Sequence, residues 1–144
     1  MKNSIMKTRQ QKINKLVWLK INHGDDLHNS LANYCLKNKV RAGLIFVIGA
    51  LKKVRFSFYD QAKKKYLVKS LNQPLEILTG LGNVSLKDGR PFVHLHLTVS
   101  DKTGRSYGGH LEKGSIVFAC ESLIIEASGR PLNRRFNELT GLNS

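Results

Sequence analysis

PFVHLHLTVSDKTGRSYGGHL (residues 91–111) decides how this chain is read. Its first nine residues alternate strictly. Val93, Leu95, Leu97 and Val99 fall on one face of a strand, and Phe92, His94, His96 and Thr98 on the other. SDKTG (100–104) is a turn, and the chain then returns through Gly108-Gly109 to His110. Side chains two apart on a strand stand about 6.5–7 Å apart, so His94 and His96 project together and can chelate one divalent ion. His110 joins them if the hairpin pairs residues whose numbers sum to 204 or 206. An odd sum puts it on the far face unless a bulge at Gly108-Gly109 intervenes. Three imidazoles suit Zn²⁺, Ni²⁺, Fe²⁺ or Cu²⁺ and leave a coordination position open for water, a substrate or a neighbouring subunit. The plainer alternative is a structural histidine pair in a sheet.

Outward from this hairpin the chain continues as strands and turns. PLEILTGLGNVSL (74–86) reads as a long strand before it, and KDGR (87–90) as a tight hairpin turn with Asp-Gly at its centre. Glu76 and Asn83 lie in that strand and are candidates to support the histidines from behind, although a lone edge glutamate is ordinarily just solvated. KLVWLKI (15–21) is a first strand. AGLIFVIGAL (42–51) is a continuous apolar run, expected to be covered on both faces. KVRFSFYD (53–60) and 65–71 form a hairpin with lysines at its tip, and IVFACESLIIEA (116–127) is a last long strand. NHGDDLHNSLANYCLKNK (22–39) reads as a turn and the one clear helix. Asp25 or Asp26 can cap it, and Leu27, Leu31, Tyr34 and Cys35 share a face. The expected fold is therefore α+β: a mainly antiparallel, strongly curved sheet of about seven or eight strands with one principal helix. One helix cannot cover such a sheet, so curling or oligomerisation must bury the remainder.

A length of 144 residues suits one domain, taken as 15–144, with residues 1–14 as a flexible basic arm. No apolar run approaches the roughly 20 residues of a membrane span, and the basic N-terminus has no apolar core of a secretion signal. Cys35 and Cys120 are read as two buried free thiols, which suits a reducing cytoplasm. The net charge of +14 is unevenly placed. Residues 1–75 hold 16 basic and 3 acidic residues, whereas residues 76–144 hold 8 and 7. An electropositive half attracts polyanions, DNA above all, with Lys52, Lys53, Arg55, Lys63, Lys64 and Lys65 as candidate phosphate contacts. A solvated lysine-rich surface is the bland reading of the same residues. Gly-Arg-Pro occurs twice (89–91 and 129–131) without the preceding arginine of an AT-hook. There is no nucleophile elbow, P-loop or dinucleotide fingerprint, so no catalytic residue is assigned.

RAGLIFVIGAL (41–51), the stretch PLEILTGLGNVSLKDGRPFVHLHLTVSDKTGRSYGGHL (74–111) and RRFNELTGL (134–142) resemble the plants-and-prokaryotes conserved (PPC) domain over residues 15–141. This is the domain that follows AT-hooks in plant AT-hook nuclear-localised proteins and stands alone in prokaryotes. The resemblance implies a homotrimer, with His94, His96 and His110 matching family positions that hold zinc near a subunit interface in some members. Prokaryotic members are commonly labelled DNA-binding, which would make this cytoplasmic chain nucleoid-associated, but the AT-hook that carries DNA affinity in plants is missing here. The alternatives are a metal-dependent enzyme or small-ligand protein on the same histidines, and an oligomerisation module that recruits other proteins.

Overall fold

The computed structural model describes residues 8–144. The first seven residues of the expected basic arm lie outside the described residues. The elements in chain order are β1 (Lys12–Ile21), α1 (Leu27–Lys37), β2 (Gly43–Asp60), β3 (Lys65–Leu71), β4 (Leu75–Lys87), β5 (Arg90–Ser100), β6 (Ser106–Leu111), β7 (Ile116–Ser128), β8 (Phe136–Asn137) and β9 (Leu142–Asn143). The first seven strands form one antiparallel sheet in the order β1-β7-β2-β4-β5-β6, with β3 paired to β2. β8 and β9 form a separate two-stranded pair in the C-terminal tail. No helix among the described residues is long and apolar enough to cross a membrane.

The sheet curls because β2 is long and irregular. Its first half pairs with β7 and β4, and its second half with β3. The curl returns β6 to β2 over two pairs, Phe56↔Leu111 and Ser57↔His110, without closing a barrel. The expected strands 42–51 and 53–60 are thus one strand of 18 residues. Lys52 and Lys53 interrupt the apolar run without ending it, and the register shifts at Val47/Gly49 and between Leu51 and Lys53 supply the bend. At Gly49 φ is +127°, and a Cβ would stand 2.2 Å from Ala119 O, so only glycine fits. β1 likewise begins at Lys12, within the segment expected as arm.

Helix α1 covers the inner face. Asp26 caps it by accepting from Asn29 N at 2.8 Å. Leu27, Leu31 and Cys35 are fully buried. They meet Ile45, Val47, Val93, Leu95, Leu97, Val99 and Ile124 in one core. Both cysteines are buried free thiols.

The outer face is different. The expectation that 42–51 is covered on both sides fails within one chain, because Leu44, Phe46 and Ile48 remain exposed. Two cross-strand rows run over this face. One is Leu16–Ile125–Leu44–Asn83–His94, and the other is Trp18–Leu123–Phe46–Leu81–His96–His110. The histidines therefore end an apolar stripe that starts at Trp18, whose exposure is 67%.

Candidate metal centre

Each histidine owes its place to register. β5 and β6 pair as His96↔His110, Leu97↔Gly109, Thr98↔Gly108 and Ser100↔Ser106. The sum is 206 throughout, so the even case holds and His110 faces outward with His96. The Asp101 carboxylate sets this register by gathering the turn: its Oδ1 accepts from Thr103 N (2.8 Å), Thr103 Oγ1 (2.6 Å) and Arg105 N (3.2 Å). No bulge occurs at Gly108-Gly109. These glycines instead allow close approach, since a Cβ on either would stand 2.6 Å from a carbonyl oxygen, Leu97 O or Ser57 O.

His94, His96 and His110 each offer one ring nitrogen, and these three atoms lie within 4.8 Å of one another. His94 Nε2 is 3.2 Å from His96 Nε2, and the rings of His94 and His110 have centroids 5.0 Å apart. Burial, then the charge of Arg134 and the neighbouring imidazoles, pushes His94 down to about 4. Burial also lowers His110, against the pull of Glu112. Both rings are accordingly neutral at pH 7, the form that ligates metal. His110 Nδ1 is buried with no hydrogen-bond partner, an orphan that a bound ion or a water would satisfy. No carboxylate belongs to the cluster, and the donor set is three imidazole nitrogens, so the residues present fit a divalent borderline ion. Such an ion would supply a Lewis-acid position with an open site. A depression of about 410 Å³ opens beside it, lined by Leu44, Leu81, Gly82, Asn83, His94 and His96.

Of the two residues expected to support the triad, Asn83 is His94's cross-strand partner. Glu76 is paired with Ser100, four residues along β5 from His96, and is not brought to the histidines. Sequence reasoning missed Arg134. It enters from the tail and donates through Nε to Ser85 Oγ (2.8 Å), through Nη1 to Asn143 O (3.2 Å), and through Nη2 to Asn83 Oδ1 (3.1 Å) and His94 Nδ1 (3.1 Å). It also missed the far side of His110, where Tyr66 packs with ring centroids 5.6 Å apart and Glu112 accepts from Ser57 Oγ at 2.6 Å. Only the repeated arginines of RRFNELTGL hinted at the first.

The six candidate phosphate contacts lie on the second half of β2, in the β2–β3 turn and at the first residue of β3. Lys63 lies 3.9 Å from Asp60 Oδ2, and Lys64 Nζ donates to Glu138 O at 2.8 Å. Lys52, Lys53, Arg55 and Lys65 make no side-chain hydrogen bond or ion pair with the described residues.

A metal-containing protein of Archaeoglobus fulgidus superposes with a TM-score of 0.92 at 39% identity, over 96% of this chain and 98% of that one. A plant- and prokaryote-conserved protein of Pyrococcus horikoshii gives 0.89 at 31% identity, over 96% and 97%. A protein of Bacteroides thetaiotaomicron, provisionally named as DNA-binding, gives 0.83 at 25% identity, over 94% and 96%. Among curated sequences, the bifunctional protein GlmU of a Synechococcus strain is 32% identical over 111 residues, 76% of this chain. The chain spans only 17% of that protein's length. The profile of the Plants and Prokaryotes Conserved (PCC) domain matches residues 8–128, and with this register, this curl and this histidine cluster, the chain belongs to that family.

Proposed function

We propose that this chain is a metal-binding, DNA-associated protein that works as a homotrimer. Metal binding is the part the geometry carries furthest. The single observation behind it is the convergence of His94, His96 and His110 within 4.8 Å on one face. The likeness to a metal-containing archaeal protein supports it, and zinc is the first candidate because imidazole nitrogens suit it. The trimer would use the outer apolar stripe from Trp18 to Leu81, which leaves large side chains in water in a single chain. DNA contact would run through phosphates at Lys52, Lys53, Arg55 and Lys65, supported by the relative provisionally named as DNA-binding and by the +14 charge.

Elemental analysis of untagged protein, with its mass in solution, tests metal and trimer together. About one metal ion per chain and a mass of three chains are expected. A His94→Ala variant that keeps the full metal content would count against the site. For DNA, four phosphate contacts predict that duplex affinity falls roughly a hundredfold between 50 and 200 mM salt. Absence of binding at low salt removes that part.

A further inference from the structure

The tail places a guanidinium directly behind a candidate metal ligand. Arg134 is held on four acceptors at once, so its plane has little freedom. These contacts use four of its five N–H groups, which makes it a positioning group. A guanidinium donates and never accepts, so His94 Nδ1 must be the acceptor of the 3.1 Å contact. A neutral imidazole has one ring lone pair and one N–H. With the lone pair turned to Arg134, the hydrogen sits on Nε2 and points at His96 Nε2, 3.2 Å away. Metal-ligating histidines ordinarily show the reverse, with the nitrogen away from the metal donating to a carbonyl or carboxylate.

We propose that Arg134 and the metal compete for His94, so that the C-terminal tail is a built-in antagonist of the three-histidine site. This rests on the metal reading above. Ligation through Nε2 and acceptance at Nδ1 each need the one lone pair, and having both would require an imidazolate anion. When the ring ligates through Nε2, one hydrogen leaves that atom and one is carried at Nδ1, with no change in the ring's charge. Nδ1–H then faces a donor, and Arg134 must withdraw Nη2. Asn83 Oδ1 is the acceptor at hand, since Asn83 is His94's cross-strand partner and already shares that Nη2. The same guanidinium ties Asn143 and Ser85, and the tail bonds β4 through Leu86 N to Leu132 O (2.8 Å) and Arg134 N to Leu86 O (2.7 Å). Metal occupancy and tail docking are therefore negatively coupled, and the coupling is reciprocal.

Nitrogen-15 NMR of the imidazoles in the wild-type chain reads the exchange directly, with zinc ion alone as the probe. In chelator-treated protein His94 should be the Nε2–H tautomer, and with zinc the Nδ1–H tautomer. An Nδ1–H tautomer in the chelator-treated protein overturns the proposal. In parallel, Arg134→Met should bind zinc roughly tenfold more tightly in competition with a chromophoric chelator, since ligation no longer breaks a charge-assisted hydrogen bond. Unchanged or weaker binding by that variant also overturns it, and if the variant does not fold the wild-type spectra still decide. Wild-type protein that takes up no zinc sinks the metal reading itself, whereas zinc uptake indifferent to Arg134 sinks this inference alone.

Discussion

At Gly82 a single hydrogen separates β4 from the backbone of β5. A Cβ there would stand 2.1 Å from His94 O and 2.8 Å from Leu95 Cα, neither of which can move without moving the strand that carries His94. Gly82→Ala should therefore cost about 1–3 kcal/mol, the range of overpacking, and weaken metal binding alongside. Urea unfolding of the metal-free variant measures the first, and an unchanged midpoint would show that β5 has room to give. The same scale explains what could be read from letters alone. His94 and His96 were legible because strand period places residues two apart on one face, and His110 because a short turn allows few registers. Arg134 was not legible. It reaches the site from 40 positions beyond His94, through a tail with no period, and nothing local marks a lone arginine as a tertiary contact.

Among the elements, α1 was the easiest to anticipate, since its cap and its apolar face are both local signals. Its cap does more than the pattern shows. One Asp26 oxygen accepts from Asn29 N at the helix start, and the other accepts from Gly114 N in the β6–β7 turn. Asp26 also bridges to Ile116 at the start of β7. Asp26→Ala thus removes a cap and a tertiary tie together, and the loss should reach the upper part of the 0.5–2 kcal/mol range of cap removals. Asp26→Asn keeps an acceptor for one of the two amides and should lose less. Chemical denaturation of both variants ranks them, and equal losses would mean that the one bond Asn keeps contributes nothing. β2 was harder to anticipate. Lys52 and Lys53 look like a break when only the apolar run is followed, but in a curled sheet they mark where one strand changes partners. A hydrophobic pattern reports which face is buried, not which neighbour buries it.

At the scale of the whole molecule, charge and apolar surface pull in opposite directions. Each copy carries +14, so copies repel, while the stripe from Trp18 to Leu81 gains by being covered. If the stripe joins copies, salt should favour assembly by screening the repulsion. The same salt weakens phosphate contacts by reducing the gain from counterion release. Self-association and DNA binding of one chain should then respond to salt with opposite signs, a pattern that unspecific stickiness of a basic protein does not produce. Phe46→Lys isolates the first of these. Phe46 sits mid-row on the outer face with 40% of its surface exposed, so a lysine there can snorkel into solvent without disturbing the inner core. The variant should fold with a denaturation midpoint close to wild type yet run at the mass of a single chain by light scattering. A Phe46→Lys protein that still assembles would place the interface elsewhere and leave the stripe without a partner. A variant that separates into single chains but keeps its duplex affinity at low salt would show that the basic hairpin acts one chain at a time. Affinity falling with the loss of assembly would instead show that three basic surfaces, held together by the apolar stripe, bind DNA as one.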